Sequence, residues 1–171
     1  MTYFGFLVRF IGVPLLILIV LTLWDRARGR RVSPGLDSMP GWFMVLALVI
    51  VAVVWTTPWD NYLVATGVWW YDPALVTGIT LGWVPIEEYT FFVLQTLLTG
   101  LWTVWMLRRF PAGQVRESTP VRVWSSAVLA VLWAASVALW LSGWQPGVYF
   151  GLILGWAIPP ILLQTIFGAD I

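Results

Sequence analysis

Apolar residues gather into five long runs, Tyr3–Trp24, Trp42–Trp59, Pro85–Leu107, Val123–Leu141 and Val148–Phe167, with charged residues, prolines and glycines concentrated between them. About 20 apolar residues in a helix cross the hydrocarbon core of a bilayer, so the pattern predicts five transmembrane helices. The first run has Arg9 inside it and lacks a small-residue cleavage pattern, which makes it a retained anchor rather than a signal peptide.

Composition agrees with that pattern. Of 171 residues, 60% are hydrophobic and 10% charged, whereas soluble domains are about 25% charged; the mean hydropathy is +0.88. The chain has no Cys and no His, and every basic residue is Arg. Disulfides, thiolate catalysis and the usual metal ligands are therefore excluded, and acid–base chemistry falls to Asp, Glu, Tyr or Arg. A net charge of +1 gives no reason to expect a nucleic-acid partner. Fourteen Trp exceed what interfacial belts absorb, so some should line an internal surface.

Arginine positions orient the spans. Arg26, Arg28, Arg30 and Arg31 follow the first run, and Arg108, Arg109, Arg116 and Arg122 lie between the third and fourth, while 60–84 and 142–147 have none. The positive-inside rule then places the N-terminus outside and the C-terminus in the cytoplasm, in a multi-pass protein of the cell (inner) membrane.

Tyr3-Phe4-Gly5 with Pro14 eleven residues after the Tyr recurs as Tyr149-Phe150-Gly151 with Pro160, and Leu16 matches Leu162. This reads as a parallel internal repeat. The predicted architecture is all-α: a first three-helix repeat unit over 1–110, a cytoplasmic linker at 111–122, then a linking helix and the first helix of a second repeat over 123–171. A second unit that stops after one helix predicts a foldable but catalytically incomplete protein. Gly151 and Gly155 have the small-xxx-small spacing of a close helix contact, offered as a self-association face.

The chemistry concentrates between the second and third runs. From Val32 to Leu107 there is no basic residue, yet Asp37, Asp60, Asp72, Glu87 and Glu88 all lie there. An acid in an apolar setting with no cation is costly to ionise and relieves that cost by keeping its proton. Pro85-Ile86-Glu87-Glu88 opens the third run, where proline and acids suit a helix start. The two glutamates stand 100° apart around the helix; Glu88 shares its stripe with Phe92, Gln95 and Thr99, which favours it as the acid, with Glu87 as its partner. Thr57-Pro58-Trp59-Asp60-Asn61 is expected to end the second span, and Trp69-Trp70-Tyr71-Asp72-Pro73 is an aromatic run closing in a turn. Arg9 either snorkels to the interface or pairs with a carboxylate. No dinucleotide or P-loop fingerprint occurs.

At Thr57–Asn61, Gly67–Pro73 and Pro85–Glu88 the chain resembles the lycopene cyclase domain family, the small membrane-protein type of bacteria, haloarchaea and fungi, and Tyr149–Pro159 is similar to the start of that family's second half. The resemblance implies a lycopene β-cyclase of carotenoid biosynthesis, an intramolecular lyase that closes the ψ-end groups of lycopene, or a related linear carotenoid, into β-ionone rings by proton addition and loss. It implies no cofactor and no metal, catalysis by Glu87, Glu88 and Asp60, and substrate contacts from Trp59, Asn61, Trp69, Trp70, Tyr71, Phe92 and Gln95. Membrane lipid and a second cyclase subunit, or further copies of the chain, are the implied partners. Intramembrane acids also suit a small transporter or proton-relay subunit, and a non-catalytic structural subunit is the third reading. A relay would spread its acids through the bilayer depth, whereas these cluster at one end.

Overall fold

Lipid offers the backbone no hydrogen-bond partner, so an apolar run must satisfy its own N–H and C=O groups as a helix. A computed structural model describes residues 1–30, 41–110 and 118–167, and each of the five runs is a helix in it: Tyr3–Ala27, Gly41–Ala65, Ile86–Arg109, Thr119–Leu141 and Gln145–Phe167. All five are long and apolar enough to cross a membrane, the architecture of a multi-pass membrane protein. Arg31, Asp37, Arg116, most of the expected linker and residues 168–171 lie outside the described residues. The chain divides into two compact units, Met1–Gly113 and Gln114–Ile171.

In the first unit, Leu7, Ile11, Leu15 and Leu18 make one buried stripe at helical spacing along the first helix. The remaining faces expose large apolar side chains such as Leu16, Val20, Trp42 and Val54, as a lipid-facing surface requires. The first helix opens into a π turn at Val8–Gly12. Pro14 lies just beyond and cannot donate to the carbonyl four residues earlier, which it crowds; the wider turn absorbs that mismatch.

The first and third helices run parallel and are tied at both ends. Tyr3 hydrogen-bonds Glu88 at one end. At the other, Arg109 grips the buried Asp25 with Nε (3.2 Å) and Nη2 (3.0 Å), and Arg30 adds a contact at 3.4 Å. The second helix runs antiparallel to the third and approaches it closely: a Cβ on Gly100 would lie 3.1 Å from Val45, and one on Gly41 3.5 Å from Val104.

Several helix ends differ from the sequence expectation: the fourth helix already begins at Thr119, inside the expected 111–122 linker, and the fifth at Gln145 rather than Val148. Pro58 does not end the second helix, which continues to Ala65. Asp60 and Asn61 are thus helical residues, and the Asn61 amide donates to the Thr57 carbonyl at 2.9 Å, one turn back.

The second unit is a helical hairpin. Gly151 fits directly against the fourth helix, where an added Cβ would stand 2.6 Å from the Ser136 carbonyl oxygen, and Trp133 Nε1 donates to the Gly155 carbonyl at 3.0 Å. Gly151 is therefore occupied within the unit, whereas a Cβ on Gly155 would meet no atom within 4 Å.

Candidate functional site

Both glutamates fall in the first turn of the third helix, directly after Pro85. They point different ways, as their 100° separation requires. Glu88 is half-buried and its Oε2 accepts from the Tyr3 hydroxyl. Glu87 is 1% exposed; its Oε1 accepts the Thr77 N–H at 2.5 Å, and its Oε2 has no hydrogen-bond partner among the described residues. Asp60, also 1% exposed, reaches the cluster from the second helix, with its Oδ2 3.3 Å from the Tyr71 hydroxyl. The Trp69 indole lies beside Asp60, and the Tyr71 phenol lies near Glu88 as well.

Three carboxyl groups and two phenols thus meet with no cation among them. Every ion pair among the described residues is made by Asp25, at the opposite end of the unit. Burial pushes the Tyr71 phenol above its ordinary range, so it stays a neutral donor.

Next to the carboxyls lies a groove of about 460 Å³, within the range of small-molecule sites. Tyr3 and Phe6 of the first helix form one side, and Trp70, Tyr71, Leu75 and Val76 the other. The Tyr3 and Tyr71 rings stack with centroids 6.4 Å apart, and the Tyr3 N–H donates to the Leu75 carbonyl at 2.8 Å, fastening the two sides. The two tyrosines belong to the groove wall, and their hydroxyls bond to Glu88 and Asp60.

A small hairpin, Thr80–Leu81 against Val84–Pro85, closes the same end. Asn61 holds it. Its Oδ1 accepts the Trp83 N–H at 2.8 Å, and its Nδ2 donates to the Tyr89 hydroxyl at 3.0 Å, which in turn donates to the Leu81 carbonyl at 2.9 Å. Gly82 makes this approach possible, with φ +67° and the Asn61 Oδ1 where a Cβ would be, 2.2 Å away.

Comparison with known proteins supplies the family. Two strains of Halobacterium salinarum have a lycopene beta-cyclase 38% identical to this chain, over 98% of the chain and 65% of the relative's length. The chain belongs to the lycopene cyclase family. Bifunctional lycopene cyclase/phytoene synthases of Gibberella fujikuroi (37% identity, 70% of the chain, 21% of the relative) and Phaeosphaeria nodorum (39%, 71% and 22%) are similar over a smaller share. The chain thus spans just under two thirds of the length of its haloarchaeal cyclase relatives. No family model matches the chain, and no solved structure matches it.

Within this cyclase-family chain the structure gathers Asp60, Glu87, Glu88, Trp69 and Tyr71 at one end, and puts Trp70 on the groove. Asn61 is committed to the hairpin. Trp59 packs against Tyr62 at 6.0 Å, Phe92 is buried edge-on to Tyr89 at 5.8 Å, and Gln95 is half-buried nearly two turns below Glu88. Arg9 makes no ion pair among the described residues; it is exposed, with Nη1 3.6 Å from the Met1 sulfur, so of the two sequence readings the pairing with a carboxylate is removed. Sequence reasoning missed Tyr3, Tyr89 and the Asp25–Arg109 pair. Tyr3 was visible as the first residue of the repeated Tyr-Phe-Gly, whereas Asp25 sat unremarked among arginines.

Proposed function

We propose that this chain carries the acid site of a carotenoid cyclase that closes the ends of lycopene, or a related linear carotenoid, into β-ionone rings. Glu88 donates its proton to the terminal double bond. The carbon left electron-deficient is attacked by the neighbouring alkene, closing the ring, and a carboxylate takes a proton from the ring carbon. Atoms balance: one proton enters, one leaves, and no electrons are exchanged. Asp60, bonded to Tyr71 across the cluster from Glu88, is the base. Aromatic faces at Trp69, Trp70 and Tyr71 stabilise the passing cation, and Glu87 holds the Thr77 segment in place.

The observation that carries this reading is the cation-free cluster of three carboxyls beside an aromatic groove, in a chain whose relatives are named lycopene beta-cyclases. A transmembrane proton relay fits less well, because the only other buried carboxyl among the described residues, Asp25, is clamped by two arginines.

In this reading the acid end faces outward and the arginine end the cytoplasm of a cell membrane, and Tyr149-Phe150-Gly151 opens a second parallel repeat. The partner is a complementing cyclase half or another copy of the chain. Co-expression with such a half in a lycopene-accumulating bacterium tests the assignment. Ring-bearing carotenoids should form with the wild-type chain and disappear with Glu88→Gln; unchanged ring formation in the variant would overturn it.

A further inference from the structure

We propose that Tyr3 is a positioning residue for the acid: its hydroxyl fixes Glu88 so that the transferable proton sits on Oε1, and it stabilises the charge left on the carboxylate after transfer. The inference rests on the functional reading above, and its starting point is a bond between residues 85 positions apart, from the Tyr3 hydroxyl to Glu88 Oε2.

A phenol that donates to one carboxyl oxygen makes that oxygen the carbonyl partner and leaves the other to carry the proton. When Glu88 gives up that proton, its O–H bond breaks and the alkene π electrons form the new C–H bond. The electron pair stays on the carboxylate, where the Tyr3 O–H now makes a charge-assisted bond, stronger than the one it made to the neutral acid. An interaction that strengthens as charge develops lowers the barrier rather than only tightening binding.

The local fold holds Tyr3 for this task. It opens the first helix, where Thr2 caps the turn by accepting the Gly5 N–H at 3.2 Å. Its own N–H is held by the Leu75 carbonyl, and its ring lies between Tyr71 (6.4 Å) and Phe6 (6.3 Å). Because the same ring belongs to the groove wall, an end group seated there lies against the residue that sets the acid.

The test compares wild type, Tyr3→Phe and Glu88→Gln in liposomes, as the chain with its complementing half for turnover and as the chain itself for infrared spectra. Tyr3→Phe keeps the ring and the backbone bond and loses only the hydroxyl. Turnover should fall about 10- to 100-fold with KM nearly unchanged. The Glu88 carboxylic C=O band, assigned by its disappearance in Glu88→Gln, should move to higher wavenumber. Incorporating 3-fluorotyrosine at position 3 keeps the shape and makes the phenol a stronger donor, so the band should move the opposite way; this arm also serves if Tyr3→Phe fails to fold. Wild-type turnover with an unmoved band in Tyr3→Phe overturns the inference, as does a wild-type spectrum lacking a Glu88 carboxylic band. Normal cyclisation by Glu88→Gln would instead overturn the functional reading itself. Loss of activity in Glu88→Gln alone would leave that reading standing and reject only the role of Tyr3.

Discussion

Asn61 invites a double-mutant cycle, because the structure makes it a clamp on the hairpin and gives Gly82 a reason to be glycine. Asn61→Ala removes two long-range bonds, to the Trp83 N–H (2.8 Å) and the Tyr89 hydroxyl (3.0 Å). At about 0.5–1.5 kcal/mol each, the loss is about 1–3 kcal/mol. Gly82→Ala does two things: it forces alanine to φ +67°, a strain of about 1–2 kcal/mol, and it puts a Cβ 2.2 Å from the Asn61 Oδ1, which must move and give up the same bonds. In an Asn61→Ala background only the strain remains. The two substitutions should therefore be non-additive by about 1–3 kcal/mol, the worth of the clamp counted once instead of twice. Detergent-induced unfolding followed by Trp fluorescence reads this directly. Additive effects would show that Asn61 does not hold the hairpin, and would return it to the substrate-contact role expected from sequence.

The two glycines of the Gly151/Gly155 pair should part company. Gly151→Ala places a Cβ 2.6 Å from a backbone oxygen and should cost about 1–3 kcal/mol of unfolding free energy; Gly155→Ala meets no atom within 4 Å and should be neutral or slightly stabilising. Tyr71 binds its proton more tightly folded than unfolded, so the stability it contributes is complete below the unfolded phenol value of about 10 and is lost as pH rises above it. Ultraviolet titration should find that the Tyr71 phenol, assigned by comparison with Tyr71→Phe, fails to ionise before the protein unfolds, and Tyr71→Phe should flatten the alkaline loss of stability; an unchanged profile would contradict this placement of Tyr71.

Spans were readable from the chain because lipid demands a long apolar run from each helix: Tyr3, Leu141 and Phe167 are ends in both sequence and structure. The two glutamates were separable for the same kind of reason, since adjacent helical residues diverge by a known angle. Pro58 misled because a membrane helix tolerates an interior proline, and only the folded helix shows it running on to Ala65. Tyr3–Glu88 and Asp25–Arg109 left no local trace, being separated by 85 and 84 positions. Such pairings follow from which helices lie parallel, information that an apolar pattern does not contain. The groove was equally hidden, because its wall joins the first helix to a loop some seventy residues away.

Proton traffic from the protein to the carotenoid is the central claim, and deuterium counts it. The chain, with its complementing half, is reconstituted in liposomes equilibrated in D₂O and given lycopene; the products are separated and weighed by mass spectrometry. A carboxyl that exchanges with solvent and protonates the end group leaves one deuterium in each ring formed, while the proton lost from the ring carbon is an ordinary one. The account predicts one deuterium per ring, and no ring in Glu88→Gln. Rings formed without deuterium, or labelled rings still formed at the wild-type rate by Glu88→Gln, would contradict it.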